Sequence, residues 1–223
     1  MRWGVFAPFW NFEENLFMKK EQAIKIITES AKIYKENLEN KNLLFIFGAE
    51  KSPEFFEASF LPRNFLHLTG AKIVEKRILG SVDFYEKCLK WKLSPLDFSL
   101  ADNGTTDMKL SILPQLMKFQ TCAKMVGVYD YKKSVLYTEK IAGNIYACMG
   151  FIKENDYYIP NTALREDIRD ISIQPQKRVL AIFKKNISQK FYNKIPCYLA
   201  KKVDISLLIY SDNLKEKFKP LSQ

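Results

Sequence analysis

Apolar residues recur every three or four positions between residues 19 and 40, and Lys, Glu and Gln fill most of the positions between them. Ala23, Ile27 and Ala31 fall on one face of a helix with this spacing. A polar run at residues 40–42 ends the pattern. The spacing therefore predicts an amphipathic helix over residues 19–40.

Shorter apolar runs follow this segment, and turn or cap residues such as Ser81 and the run 102–104 separate them. The further helices predicted from this pattern cover residues 81–91, 105–117 with a break near Pro114, and 161–168 with Asn161 or Thr162 as N-cap. The predicted strands cover residues 43–47, 55–61, 123–129, 134–137, 141–152, 157–160, 178–183 and 203–209.

Helical segments therefore come early in the chain and strands late. This order predicts an α+β fold, with N-terminal helices packed on a C-terminal antiparallel β-sheet. No repeat or low-complexity linker interrupts the pattern. We expect a single domain at residues 19–213, preceded by an arm at residues 1–18 and followed by a tail at residues 214–223.

The charge of the chain narrows the class of partner. The 223 residues carry a formal net charge of +10, from 35 Lys and Arg against 25 Asp and Glu. Such an excess favours polyanionic partners and speeds their capture. Nucleic acid is the first candidate and an anionic membrane surface the second, although many lysine-rich proteins bind neither. The composition, rich in Lys, Asn, Ile and Phe, indicates an AT-rich bacterial or phage source.

Several classes of protein are disfavoured. No segment reaches the roughly 20 apolar residues that cross a bilayer, and Pro8 and Glu13 interrupt the N-terminus in a way that a signal peptide does not. We therefore expect a cytoplasmic protein without a membrane partner. The cysteines form no CxxC pair and His67 is the single histidine, so neither a metal site nor a disulfide framework is predicted. Walker, GxGxxG and GxSxG motifs do not occur, and no cofactor is expected.

His67 is the first candidate for chemistry. It lies between two leucines and precedes Thr69 and Gly70, where a glycine lets the backbone approach a ligand. Histidine has the ordinary pKa nearest to neutrality, so it can accept and donate a proton in phosphodiester cleavage. A single histidine between leucines is more often a hydrogen-bonded core residue, and this alternative stays open.

A second candidate segment runs from Tyr157 to Arg169. If Asn161 begins a helix, Arg165 and Arg169 lie four residues apart on one face, where together they can grip a phosphate. Tyr158 can stack on a base or donate to a phosphate oxygen. The alternative is a solvated helix whose internal ion pairs contribute about 0.3–0.5 kcal/mol each.

A third candidate is the stretch from Asp102 to Lys109. Thr105 stands at the start of a predicted helix, and Lys109 adds a positive charge, so the stretch can form an anion-binding helix N-terminus. The acidic residues in the same stretch argue against a dedicated phosphate loop. Lysine pairs near predicted strand ends either contact a nucleic-acid backbone or protect sheet edges; these pairs are 132–133, 184–185 and 201–202.

Several short phrases occur together and in order. They are Asn64-Phe65-Leu66-His67-Leu68-Thr69-Gly70, Asp83-Phe84-Tyr85, Gly104-Thr105-Thr106, Leu113-Pro114-Gln115-Leu116, Tyr158-Ile159-Pro160-Asn161 and Asp167-Ile168-Arg169. In this combination, over residues 20–200, the chain resembles a phage-associated nuclease group of the BECR class, named for Barnase, EndoU, colicin and RelE nucleases. The resemblance implies an α+β fold and a metal-independent endoribonuclease of prophages and mobile elements. It also implies a role for His67, accompanied by Thr69, Tyr158, Asn161 and Arg169.

The leading hypothesis is a metal-independent endoribonuclease in the cytoplasm of a bacterial host. It would cleave RNA by attack of the ribose 2′-hydroxyl on the adjacent phosphate, and an antitoxin or a host nucleoprotein is a possible partner. The candidate catalytic residues are His67, Tyr158, Arg165 and Arg169, and the candidate substrate-binding residues are Thr69, Thr105, Lys109 and Asn161. The alternative is a non-catalytic phage or mobile-element inhibitor, such as an anti-CRISPR protein, that binds a host nucleoprotein.

Overall fold

A computed structural model describes residues 18–132, 136–209, 211–212 and 214–218. Its helices are α1 (Lys20–Asn37), α2 (Phe65–Thr69), α3 (Ser81–Leu89), α4 (Thr105–Leu116), α5 (Phe119–Cys122), α6 (Ile168–Ile171) and α7 (Ile205–Ile209), with 3₁₀ turns at Pro62–Asn64 and Lys215–Lys217. Its strands are β1 (Lys41–Ala49), β2 (Ser52–Phe60), β3 (Lys72–Ile73), β4 (Phe98–Ser99), β5 (Met125–Tyr129), β6 (Lys140–Gly143), β7 (Cys148–Glu154), β8 (Tyr157–Leu164), β9 (Ser172–Asn186) and β10 (Tyr198–Leu199).

The large sheet closes into a barrel. Its strands follow one another in the order β1, β2, β8, β7, β6, β5 and β9, and β9 pairs again with β1. The closing ladder runs antiparallel from Lys41 opposite Asn186 to Phe47 opposite Val179. β2 and β8 are parallel and meet at Ala58 and Tyr158, whereas the other pairs in the ring are antiparallel. The short strand β10 adds to β9 outside the ring.

Aromatic side chains fill the inside of the barrel. The ring of Phe45 stacks on that of Phe56 at 4.7 Å between centroids, and Phe151 lies 5.7 Å from Phe56. Phe119, from α5, enters this cluster at 5.7 Å from Phe45 and 5.8 Å from Phe151. Each of these four rings is at least 96 % buried. The helical segment between α4 and β5 therefore contributes directly to the barrel core.

The helix predicted at residues 19–40 is confirmed as α1, and its predicted apolar face is the buried one. Ala23, Ile27 and Ala31 are fully buried, together with Tyr34. The ring of Tyr34 lies 5.4 Å from that of Phe65 in α2 and 5.6 Å from a tyrosine ring of α3. The apolar face of α1 therefore packs against α2 and α3.

The C-terminal segment covers the outer face of β1 and β9. Leu214 and Phe218 are buried there with Phe183, so the described part of the predicted tail belongs to the core. Two donors hold the segment to the buried carboxylate of Glu57, namely the hydroxyl of Tyr192 at 2.9 Å and the ammonium of Lys217. A third apolar cluster lies where α6 covers β5 and β6.

The mixed α+β class is confirmed, but the arrangement of N-terminal helices on a C-terminal antiparallel sheet is not. β1 and β2 precede α2 to α5, and the pairing of β2 with β8 is parallel. Local periodicity predicts strands at β1 and β2 but not which distant strands they join, so the early hairpin was not recognised as part of the sheet. Residues 1–17, which include most of the predicted arm, and 133–135 lie outside the described residues.

The helix predicted at residues 161–168 is wrong. Residues 157–164 form β8, whose backbone pairs with β7 from Tyr157 opposite Glu154 to Leu164 opposite Cys148. Ladder hydrogen bonds and burial outweigh the capping signal of Asn161, because propensity is a weak guide where tertiary pairing is available. Two smaller differences are that residues 205–209 form α7 where a strand was predicted, and that α4 continues through Pro114 without a break.

None of the helices among the described residues combines the length and hydropathy that spanning a membrane requires.

We predict that Phe119→Ala lowers the free energy of unfolding by about 3–5 kcal/mol, because it leaves a cavity among the barrel rings. Urea denaturation measures this change. Ile195→Ala is the control, since Ile195 is 84 % exposed and its truncation should cost less than about 0.5 kcal/mol. A loss below about 1 kcal/mol for Phe119→Ala would show that α5 is not part of the barrel core.

Candidate functional site

A pocket of about 280 Å³ opens at the end of the barrel that lies beyond the aromatic cluster. Along β1, Phe47 follows Phe45 by two residues on the same face, and Glu54 stands opposite Phe47 in the β1–β2 ladder. Similar steps along β5, β6 and β9 complete the lining, which comprises Phe47, Glu54, Val126, Gly127, Val128, Lys140, Ile173, Pro175 and Lys177. We call this pocket the barrel mouth.

The charged part of the barrel mouth begins with an ion pair. The ammonium nitrogen of Lys177 on β9 lies 2.6 and 2.7 Å from the two carboxylate oxygens of Glu54 on β2. Both side chains are about half exposed, so solvent screens the pair and its contribution to stability is small, about 0–1 kcal/mol. The ion pair therefore positions the Glu54 carboxylate at the barrel mouth but adds little to the stability of the fold.

Lys140 and Tyr158 stand beside this pair. Burial lowers the pKa of Lys140; the Glu54 carboxylate opposes this change, and the Lys177 ammonium adds to it. The Lys140 ammonium lies 5.3 Å from the centroid of the Tyr158 ring, which makes a T-shaped contact with the ring of Phe56 at 5.4 Å between centroids. Burial, with the charge of Glu139, raises the pKa of Tyr158, which keeps its hydroxyl protonated at neutral pH.

An irregularity in β9 forms part of one side of the barrel mouth. Val126 pairs with Lys177 and Val128 with Ile173, so the intervening residues of β9 bulge opposite Gly127. Hydrogen bonds hold this bulge on the outer face, from Gln176 Nε2 to Ser172 Oγ at 2.7 Å and from that oxygen to the Ile168 carbonyl at 2.6 Å. Bulges of this kind are frequent at barrel rims beside active sites.

Gly127 permits this geometry, because a Cβ at that position would lie 2.7 Å from the Cβ of Ser172. Every larger residue would push β9 away from β5 at the bulge. The bulge therefore depends on a glycine that the sequence pattern alone did not distinguish.

His67 lies elsewhere, on the exposed side of α2. Its backbone carbonyl accepts a hydrogen bond from the Lys109 ammonium at 3.3 Å. Burial, and then the charge of Lys109, lowers the pKa of His67, so its imidazole is neutral at pH 7. Thr105 stands at the first position of α4, four residues before Lys109.

Thr69, a candidate substrate-binding residue, makes hydrogen bonds that stabilise the end of α2. Its hydroxyl donates to the Leu66 carbonyl at 2.7 Å and accepts from the Ala71 amide at 3.0 Å, and the residue is fully buried. Gly70 follows with a φ of 71°, the left-handed conformation that commonly ends a helix. These contacts end α2 and direct the chain towards β3.

The remaining candidates of the second segment are dispersed. Asn161 is the extra residue of a bulge in β8, where its amide accepts from Thr138 Oγ1 at 3.1 Å. Arg165 is exposed just after β8, whereas Arg169 lies in α6 with its guanidinium 2.6 Å from Asp167. The shared helix face predicted for the two arginines does not exist, because residues 157–164 form β8 and Arg165 lies outside α6, which begins at Ile168.

The described contacts thus form two separate groups. Tyr158 meets Lys140 at the barrel mouth, and His67 meets Lys109 between α2 and α4. In the described part of the chain, no hydrogen bond, ion pair or ring contact joins His67 to Tyr158. Across the same residues, no three His, Cys, Asp or Glu side chains are grouped so that they could hold a metal ion.

Sequence reasoning missed Glu54, Lys140 and Lys177. Each continues the inward face of its strand by two residues beyond a buried apolar side chain, namely Phe56, Ala142 and Val179. The alternation along each strand predicts that these side chains share the inward face of their strands. It does not predict that they lie close together, because Glu54 and Lys177 are 123 residues apart in the chain.

The comparisons with known proteins agree with a nuclease. A family model described as phage-Barnase-EndoU-ColicinE5/D-RelE like nuclease4 matches residues 26–201, a range that includes the whole barrel ring and both groups of candidate residues. Searches of curated proteins and of solved structures gave no significant match. The resemblance derived from the sequence phrases is confirmed.

We predict that Lys140 titrates below the usual lysine range, and that Glu54→Gln lowers its pKa further because the variant removes the charge that opposes the effect of burial. Lys177→Met should raise it. NMR titration of the lysine side chains follows these changes, and Glu36→Gln on the exposed face of α1 is the control. Equal Lys140 titration in all four proteins would contradict the electrostatic coupling at the barrel mouth.

Proposed function

Because the chain belongs to the phage-Barnase-EndoU-ColicinE5/D-RelE like nuclease4 family, we propose that it is an endoribonuclease whose active site is the barrel mouth. The observation that carries the proposal is the set of groups there: one carboxylate and two ammonium groups beside a tyrosine, around an open pocket. These are the groups that metal-independent cleavage of RNA requires, a proton acceptor and cations for the phosphate.

In the proposed reaction Glu54 accepts the proton of the ribose 2′-hydroxyl. The new O2′–P bond forms as the P–O5′ bond breaks, which leaves a 2′,3′-cyclic phosphate on one product and a 5′-hydroxyl on the other. Lys140 gives its proton to the departing 5′ oxygen, a step that its lowered pKa favours. No metal ion takes part in this scheme.

The other two groups bind the phosphate. Lys177 moves from the Glu54 carboxylate to a non-bridging phosphate oxygen, where it balances the charge that builds up in the transition state. The Tyr158 hydroxyl, kept protonated by its raised pKa, donates to a second oxygen. The net charge of +10 attracts the RNA to the protein in a salt-dependent way.

The His67 group is the second location to be tested for the same reaction. Its neutral imidazole is a competent base, and the candidate phosphate ligands are Lys109, whose ammonium contacts the His67 carbonyl, and Thr105, one turn earlier in α4. We place the reaction at the barrel mouth instead, because the acceptor there is ion-paired with one cation, Lys177, and its charge acts on a second, Lys140. The hydrogen bond of His67 with Lys109, by contrast, involves the backbone carbonyl of His67 and not its imidazole.

We predict that Glu54→Gln lowers the rate of RNA cleavage by about 10²–10⁴-fold, the usual effect of removing a general base. His67→Ala should keep nearly the wild-type rate. The measurement uses a labelled RNA with EDTA present, and mass spectrometry of the products should find the cyclic phosphate. Thermal unfolding of the two variants checks that both are folded.

Three outcomes would overturn parts of the proposal. Loss of cleavage in His67→Ala but not in Glu54→Gln would move the active site to α2. Inhibition by EDTA would exclude the metal-independent route. Salt-sensitive RNA binding without cleavage by the wild-type protein would favour the non-catalytic inhibitor that binds a host nucleoprotein.

A further inference from the structure

The barrel mouth is lined by charged and apolar side chains that lie next to one another. The charged residues are Glu54, Lys140 and Lys177, and the ladders pair them with Phe47, Val128 and Val126, respectively. We call the five apolar lining residues of β1, β5 and β9 the apolar wall: Phe47, Val126, Val128, Ile173 and Pro175.

Two members of this wall are unusually exposed. Val128 is 49 % exposed and Ile173 is 53 % exposed, and the two face each other across the β5–β9 ladder. Apolar side chains that stay open to solvent inside a pocket, next to a few convergent polar groups, are typical of a ligand site. The bulge of β9 opposite Gly127 holds Pro175 at the edge of this pocket, so the wall is built into the sheet.

The ligand must present an anion to the lysines and a flat apolar face to the wall. A nucleotide does both, through its phosphate and its base. In a duplex the base faces are stacked on one another, and only an unpaired nucleotide can turn a face towards protein. A pocket of about 280 Å³ has room for about one nucleotide of the RNA chain.

We infer that the apolar wall is a subsite for one unpaired nucleobase, so that the substrate class is single-stranded RNA. This inference rests on the proposed function for the position of the phosphate. The five wall side chains carry no hydrogen-bonding group, so they contact the base without reading its edge. The subsite therefore accepts all four bases with similar affinity, as binding through a base face generally does.

The test measures binding separately from cleavage. A fluorescent single-stranded oligonucleotide with 2′-O-methyl groups lacks the attacking hydroxyl, and anisotropy reports its affinity for the full chain. We expect the wild-type protein to bind it at least about tenfold more tightly than the duplex of the same sequence. Oligonucleotides that consist of one base type should differ by no more than about threefold.

The variant Ile173→Asp places a carboxylate on the apolar wall and should weaken this binding by at least about tenfold. Ile195→Asp is the matched control, because it makes the same change at a residue that is 84 % exposed and does not line the pocket, and the affinity of this variant should equal that of the wild type. Ile173→Ala should show a smaller loss in the same direction, which keeps the test valid if the charged variant is unstable.

The outcomes separate the two proposals. Equal binding of single strand and duplex, a strong preference for one base, or unchanged affinity in both Ile173 variants would each overturn the subsite. Tight single-strand binding that depends on Ile173, without cleavage of ordinary RNA, would leave the subsite standing and refute the nuclease reaction.

Discussion

The pairing of β1 with β9 is the constraint on which the rest of the structure depends. It joins residues near the start of the described chain to a strand more than 130 residues later, from Lys41 opposite Asn186 to Phe47 opposite Val179. This ladder closes the sheet, removes its open edges and encloses the aromatic cluster. It also brings β2 and β9 to opposite sides of β1, which is how Glu54 and Lys177 come within ion-pair distance.

Within the closed sheet, the same alternation of side chains supplies both the core and the candidate site. The inward residues are apolar over most of each strand and become charged at one end, where Glu54, Lys140 and Lys177 follow buried neighbours. The ladders position these groups, and the bulge opposite Gly127 interrupts the β5–β9 ladder beside them. The stability of the fold therefore depends on the apolar core, whereas the proposed chemistry depends on charged groups that contribute little to that core.

The sequence predicts the local features well and the distant ones poorly. The buried face of α1 follows from helical spacing, and Tyr158 was identified as a candidate that the structure places at the barrel mouth. The helix expected at residues 161–168 is absent because pairing with β7 keeps residues 157–164 extended. Glu54 and Lys177 were missed because no local pattern reveals that two strands so far apart become neighbours. The family resemblance, which uses the order of many short phrases, is confirmed over residues 26–201.

The position of bound RNA is the most direct measurement of the central claim, that the barrel mouth is the active site. A crystal structure with a short oligonucleotide whose 2′-hydroxyl is replaced at the scissile position would show where the phosphate lies. We expect a phosphate oxygen within hydrogen-bonding distance of the Lys140 and Lys177 ammonium groups, with Glu54 beside the 2′ position. A phosphate bound between His67 and Lys109, with the barrel mouth empty, would contradict the claim.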